Sequence, residues 1–341
     1  MTEKIKIAIP MAGFGSRMRP QTWSKPKPLI ALAGKTVLDY VLNQFASLAD
    51  SYDLEFVFIV GPNQLDQVKA YSNLHHSEKT IHYVVQEEMT GQSDALYLAR
   101  EHLSGPMLMS FSDTLIETEF EILKDKSLDG IIWVKKVDDP RRFGVAEVDN
   151  HGWVTRLIEK PKEVANKLVL VGFYYFKNGD DLMKAIETQK ARGVQLKGEY
   201  FLSDAVSLML ADGAKMRTNE IDTWLDAGLP SALLETNRYF LDHGHDTRMA
   251  AKQHPGACII PPVFIHPDAV IERSVIGPHV SIGSGCQIES AVIKNSILDN
   301  DTSISQVILQ DSILGQKVQF NGSASIANLG DNTIITNYRT G

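Results

Sequence analysis

Between Ile265 and Phe320, apolar residues return every five or six positions: Ile265, Ile271, Ile276, Ile282, Ile288, Ile293, Leu298, Ile304, Leu309, Leu314 and Phe320. An amphipathic helix brings its apolar residues back at three and four positions, and a half-buried strand at two, so neither accounts for this spacing. Small residues stand between the apolar ones: Gly277, Gly283, Ser296, Thr302, Ser312 and Gly315. Such a step predicts the hexapeptide coils of a left-handed parallel β-helix, in which each short strand turns one corner and points its aliphatic residue at the axis. Stacked coils then bury a continuous apolar column. The sequence from Ser325 onward departs from the repeat and is expected to cap the open end.

The first two-thirds of the chain follow other periods. Apolar runs at 4–11, 55–60, 81–86 and 107–112 read as strands, and helical spacing at 37–48, 64–71 and 93–102 alternates with them. This alternation predicts an α/β fold: a mixed, mostly parallel, Rossmann-like sheet with helices on both faces. After Ile131 strand signals crowd together at 131–137, 145–148, 154–158 and 168–176, an inserted mixed-sheet region, before helices return at 181–192 and 201–210. From His243 to Pro262 the chain holds His-Gly-His, His-Pro-Gly and Pro-Pro, which break both patterns. The expected organisation is a domain over 1–242, a linker over 243–258 and a coil domain with its cap over 259–341.

Composition excludes several function classes. A net charge of −8 argues against a nucleic-acid or anionic-membrane surface. No apolar run approaches the roughly 20 residues of a membrane span, and the chain enters a strand-like run at once, so no signal peptide is expected. The two cysteines, Cys258 and Cys286, offer neither metal-ligand spacing nor a disulfide framework. They read as small core residues of a cytoplasmic protein.

The first strand runs into Met11-Ala12-Gly13-Phe14-Gly15-Ser16-Arg17-Met18-Arg19-Pro20. Two glycines let the backbone approach a phosphate, and successive N–H groups can form an anion nest. A dinucleotide fingerprint needs a third glycine where Met18 stands, and a Walker loop needs a following Gly-Lys-Ser/Thr, so both readings fail. Alone, the Gly-X-Gly fits a plain tight turn equally well. Its context adds Arg17, Lys25 and Lys27, with Pro20, Pro26 and Pro28 holding the segment extended. Arginine grips phosphate oxygens bidentately, and lysine serves as a point charge beside them.

The run Gly13-Phe14-Gly15-Ser16-Arg17-Met18-Arg19-Pro20-Gln21-Thr22, then Pro26-Lys27-Pro28-Leu29 and Gly34-Lys35, closely resembles the signature of sugar-phosphate nucleotidyltransferases. The likeness is to the glucose-1-phosphate uridylyl- and thymidylyltransferase type. It continues through Arg238 and takes in the β-helix that many members carry.

The resemblance implies a site residue by residue. Met11, Ala12, Gly13, Gly15, Ser16, Arg17, Lys27 and Ser112 would bind the nucleotide. Asp113, in Phe111-Ser112-Asp113, and Asp226, in Trp224-Leu225-Asp226-Ala227-Gly228, would hold Mg²⁺. On its own Asp113 fits a helix cap, and Asp226 a turn residue. Gly144, Glu159, Lys160 and Gly172 match the sugar-phosphate pocket, with Glu159 on sugar hydroxyls and Lys160 on the phosphate. An isolated Glu-Lys also fits a surface ion pair in a hairpin. Glu199 matches a position near the sugar. Gln86 and Gly91 match members that use uracil or thymine nucleotides: a glutamine amide offers both donor and acceptor, and Gly91 would leave room for a flat base. Gln92-Ser93-Asp94-Ala95 departs from the Gly-Thr-Ala form common in the family.

The implied reaction is attack by a sugar 1-phosphate on the α-phosphate of UTP or dTTP, with pyrophosphate leaving. A phosphate dianion needs no general base, which agrees with the lack of a Ser/His/Asp or Cys/His constellation. Arg17 would face the departing pyrophosphate and Lys27 the α-phosphate. Three other readings stand beside this one: a regulatory, non-catalytic homologue, a cytidylyltransferase of a non-sugar phosphate, and an acyltransferase in the coils using His266 or His279. The last is weak because both histidines precede proline-marked turns or strands and read as polar corner residues. The coils are expected to join copies into a homo-oligomer.

Overall fold

The structure, a computed structural model, describes residues 3–163, 166–196, 198–247 and 249–322. The cap expected from Ser325 lies outside the described residues. The chain divides into two compact units, Met1–Phe240 and Leu241–Gly341.

In the first unit the strand Glu3–Pro10 is central. It pairs in parallel with Tyr52–Val60 on one side and Met107–Ser110 on the other, and Thr80–Val85 extends the sheet beyond Tyr52–Val60. Leu168–Phe176 then runs antiparallel against Met107–Ser110 and carries Gly130–Lys136 and the hairpin Gly144–Val148/Val154–Glu159. Met216–Glu220 pairs with Gly130–Lys136. The sheet is therefore mixed, parallel in the half around Glu3–Pro10, with the antiparallel insertion that the crowded strand signals predict.

Alternate side chains of these strands feed two core layers. Ala8, Val57, Ile59, Met107 and Met109 pack with the helices Gln92–Leu98, Gly179–Ala191 and Leu202–Ala211. On the other face Phe45 stacks on Phe173 at 5.4 Å, and Trp133 meets Phe173 edge-on at 4.9 Å. Phe45, Trp133 and Phe173 are wholly buried, each worth about 1.5–3 kcal/mol of burial. The first helix, Val37–Asn43, is shorter than its apolar spacing predicts. The chain tightens into a 3-10 turn at Ala46–Asp50, which keeps Phe45 and Leu48 inward.

The second unit is a three-sided parallel β-helix of the left-handed hexapeptide type. One face stacks Cys258–Ile259, Val275–Ile276, Val292–Lys294 and Ile308–Gln310. The others begin at Val263–Ile265 and Val270–Glu272. Successive coils meet at hydrogen bonds spanning 16 or 17 positions, three of the five-to-six steps seen in the sequence. Ile265, Ile271, Ile276, Ile282, Ile288 and Ile293 point into the column. Each corner repeats a left-handed residue: Arg273, Ser290 and Gln306 at one, His279, Asn295 and Asp311 at the next, Gly285, Asp301 and Lys317 at the third.

Two expectations need correction. Cys286 is buried but Cys258 is exposed, because Ile259 takes the inward position of that short strand. The stretch read as a linker belongs to the coil unit and has structure of its own. Thr247 accepts the Ile265 N–H at 3.0 Å, and a short helix forms at Ala250–Gln253. Among the described residues no helix is long and apolar enough to cross a membrane.

Candidate active site

The strand order reverses at Glu3–Pro10: chain connections run to Tyr52–Val60 on one side and to Met107–Ser110 on the other. Open α/β sheets bind ligands at such a switch point, outside the carboxyl ends of the strands. A cleft of about 540 Å³ lies there. Met11, Ala12, Gly13, Gly15, Ser16 and Arg17 line it with Lys27, and Ser112, Asp113, Gln86, Gly91 and Glu199 complete the wall. The residues expected to bind nucleotide thus meet around one cavity.

The loop after the first strand is held open rather than packed. A Cβ at Gly13 would meet nothing within 4 Å. The glycine leaves bare backbone facing free space, as an anion nest requires. Gly15 is constrained differently: its φ is +58°, and a Cβ would lie 2.9 Å from Thr22. The Thr22 hydroxyl donates to the Gly15 carbonyl at 2.8 Å, and the Gln64 amide donates to the Gly13 carbonyl at 3.0 Å. Both bonds occupy carbonyls of the loop and fix its course.

Four charged side chains from distant segments converge beside this loop. Lys27 donates to a carboxylate oxygen of Asp113, both largely buried. Trp224–Asp226 pairs with Thr114–Ile116, setting Asp226 opposite Thr114, and the Ala227 N–H donates to the Asp113 carbonyl at 3.0 Å. Burial pushes the Asp226 carboxyl up, and the like charge of Asp113 adds to this; the Gly228 N–H, Lys27 and Arg17 pull it down. Two hard carboxylates that repel each other fit a divalent cation, which would relieve the repulsion. Among the described residues no group of three metal-ligating side chains forms, so a cation held there would need further ligands from substrate and water.

Gln86 is 3% exposed, and its amide nitrogen donates to the Gly91 carbonyl at 3.2 Å. Gly91 has φ +115°, and a Cβ there would fall 2.5 Å from the Tyr200 backbone. The glycine makes room for the chain of Tyr200, and it lines the cleft.

Gly144, Glu159, Lys160, Gly172 and Asp226 stand outside the walls of this cleft. Gly144 pairs with Glu159 across the hairpin, and a Cβ on Gly144 would lie 3.0 Å from a Glu159 carboxylate oxygen. Burial raises the Glu159 carboxyl; Lys160 and a hydrogen bond from Ser203 oppose this, while Asp204 and Glu199 add to it. Lys160 adopts φ +47°, its N–H donates to the Phe143 carbonyl, and its ammonium sits 5.0 Å from the Phe201 ring centre. Gly172 sits where the register of Leu168–Phe176 slips, at φ +81°, and a Cβ would land 2.0 Å from the Phe111 ring. That is the signature of a bulge glycine making way for a neighbour.

Sequence reasoning missed Phe111, Met89 and Ala95 in the cleft wall and Phe201 beneath Lys160. Apolar residues carry no chemical signal by themselves. Adjacency to Asp113 was the one available hint for Phe111.

Residues 8–243 match the family model described as nucleotidyl transferase, and residues 259–338 match that of the GMPPB C-terminal domain. The bifunctional protein GlmU of Methanocaldococcus jannaschii is 26% identical, over 93% of this chain and 79% of its own length. The glucose-1-phosphate thymidylyltransferase of Streptomyces antibioticus is 28% identical, over 97% of this chain and 99% of its own. Among solved structures, a UDP-glucose pyrophosphorylase complexed with UDP-glucose shares the fold, with a TM-score of 0.60 and 18% identity across 71% of this chain and 100% of that one.

Proposed function

The chain belongs to the nucleotidyl transferase family, and from that premise we propose that it joins a sugar 1-phosphate to a nucleoside triphosphate, UTP or dTTP favoured, releasing pyrophosphate. The observation that carries this reading is the convergence of Arg17, Lys27 and Asp113 on the wall of the cleft at the sheet's switch point, with Asp226 close enough to feel all three charges. A plain tight turn has no use for four charges drawn from across the chain.

In the reaction an oxygen of the sugar 1-phosphate dianion forms a bond to the α-phosphorus. The bond from that phosphorus to the bridging oxygen breaks, and the electron pair leaves with pyrophosphate. No proton is removed, so no general base is required. The protein's task is to bring two anions together and offset their repulsion. Arg17 faces the leaving pyrophosphate. Lys27 exchanges part of its bond with Asp113 for the α-phosphate. Asp113 and Asp226 would hold Mg²⁺, which when bound would supply positive charge to offset that of the triphosphate. Lys160, fixed by its own backbone bond and by the Phe201 ring, takes the acceptor phosphate, and Glu159 accepts from sugar hydroxyls. Gly144, Gly172 and Glu199 shape that pocket.

The test is pyrophosphate release with Mg²⁺ across UTP, dTTP, CTP, GTP and ATP against several sugar 1-phosphates. One strong uracil or thymine pair is the expected result. Silence throughout, with nucleotide binding intact, overturns the reading.

The coils are proposed to join copies of the chain. On one face Cys258, Val275, Val292 and Ile308 are register partners pointing outward, and Ile308 is 82% exposed. An outward apolar ladder of this kind suits a partner surface. Neither nucleic acid nor membrane is a proposed partner, and two unpaired cysteines suit a cytoplasmic setting.

A further inference from the structure

Two carboxylates set side by side repel, so the chain that carries them has to be held against that repulsion. Asp226 closes the strand Trp224–Asp226, and Asp113 immediately precedes its partner Thr114–Ile116. These two strands form a ribbon of their own, apart from the main sheet, with 3 residues in each. A ribbon that short does not keep its shape in water unaided. Its shape comes from what it is tied to.

Thr236 ties the Asp226 strand. It stands on the helix Pro230–Asp242 and is 1% exposed, and its hydroxyl donates to the Asp226 carbonyl at 2.9 Å. Gln44 ties the Asp113 strand. It follows the helix Val37–Asn43, and its amide oxygen accepts the Ile116 N–H at 3.2 Å. Its amide nitrogen donates to the Ser110 hydroxyl at 3.3 Å and to the Thr114 carbonyl at 3.5 Å. These partners lie on both sides of Asp113 in the chain. The two helices are joined in turn. The Asn237 amide oxygen accepts the Ala33 N–H at 3.0 Å, the Tyr40 hydroxyl donates to the Ala33 carbonyl at 3.0 Å, and the rings of Tyr40 and Phe240 stack at 4.0 Å. The Val37 N–H donates to the Ile30 carbonyl at 3.0 Å, and the Ile30 N–H to the Lys27 carbonyl at 3.1 Å. The frame therefore closes through the turn that carries Lys27.

The ties grip the ribbon by its backbone and not by its carboxylates. Among the described residues, Lys27 engages one oxygen of Asp113, and the Gly228 N–H engages one oxygen of Asp226 at 2.7 Å. The other oxygen of each is left for a hard cation. We propose that Thr236 and Gln44 are positioning residues that set the separation of Asp113 and Asp226, and with it how tightly the pair holds a divalent cation. This rests on the metal assignment in the reading above and deepens it. Outer partners that orient metal ligands are commonly worth about ten- to a hundredfold in metal affinity.

The probe is Mn²⁺, followed by its electron paramagnetic resonance signal on the full chain with and without UTP. The site is the binding that Asp226→Asn removes. Thr236→Val keeps the side-chain shape and loses the hydroxyl, and it is expected to weaken that binding about tenfold. Thr236→Ser restores the donor and binds Mn²⁺ as the wild type does. Gln44→Met weakens binding in the same direction, and it decides the question if Thr236→Val does not fold. In turnover, raising Mg²⁺ recovers the rate of Thr236→Val and does not recover that of Asp226→Asn, a split that a general loss of stability would not produce. Wild-type Mn²⁺ affinity in either folded variant overturns the proposal and leaves the metal assignment intact. A wild type with no Mn²⁺ binding that depends on Asp226, with UTP or without it, overturns both.

Discussion

Asp226 closes a short strand of the sheet unit and Asp268 sits in a turn between two short strands of the coil unit, and the two are held in opposite ways. Asp268 accepts from the Ser284 hydroxyl at 2.7 Å and the Gly285 N–H at 3.0 Å, both one coil further on, with His266 alongside. These bonds, that from Ser284 foremost, bring its carboxyl down to about 2. Asp226 is pushed the other way by burial and by Asp113. The partners of Asp268 recur at the coil period, as do those of Asn295, whose amide donates to Asp311 16 positions on. The partners of Asp226 come from residues 17, 27, 113 and 228 and follow no period. A polar contact repeated at the architectural period fastens the architecture. A non-periodic convergence of charge that the fold does not relax is what a ligand site looks like.

The largest expected effect separates these two aspartates by activity. Asp226→Asn should reduce pyrophosphate release by on the order of a hundredfold or more, whereas Asp268→Asn should leave it unchanged. Stability should move the other way: Asp226→Asn raises the melting temperature of the ligand-free protein and Asp268→Asn lowers it. An Asp226→Asn variant that is both active and less stable would erase the contrast.

A smaller effect tests whether Gly172 is required by packing. Gly172→Ala places a methyl against the Phe111 ring and strains a left-handed backbone, and should cost about 1–3 kcal/mol in denaturant unfolding. Gly13→Ala, which meets open space, should cost much less stability while weakening nucleotide binding.

The two carboxyls also predict opposite pH dependences. Asp226 has a raised folded value, so its contribution favours the native state below the ordinary carboxylate range and is lost as pH rises through that raised value. Asp268 is depressed, so its contribution is present above the ordinary range and is lost as pH falls toward about 2. Melting curves of Asp226→Asn and Asp268→Asn against wild type from pH 3 to pH 7 should therefore diverge in opposite directions as pH rises.

The smallest expected effect concerns assembly. Ile308→Asp, on the outward face of the coils, should lower the mass seen by light scattering without altering turnover by each chain. A monodisperse wild-type monomer would remove the oligomer from the account.

The coils were legible in the sequence because a period of five or six recurs over many turns and nothing else produces it. The glycine loop was legible because Gly13, Gly15, Arg17 and Lys27 lie close together in the chain. Asp226 became part of a site only through the short Thr114–Ile116 pairing, which no local pattern announces. Gly91 and Gly172 stood out as glycines, but the chain of Tyr200 and the ring of Phe111 that require them are remote in sequence. The ion pair between Asp94 and Lys190 was invisible for the same reason: the two lie 96 positions apart. Periodic and local chemistry can be read along the chain, whereas convergence needs the fold.

The most direct test of the central claim, that these converging charges run a nucleotidyl transfer, is kcat for Lys27→Ala measured with the best substrate pair. The account predicts a folded protein that still binds nucleotide and turns over about a hundredfold more slowly or worse. Turnover at the wild-type rate would contradict it.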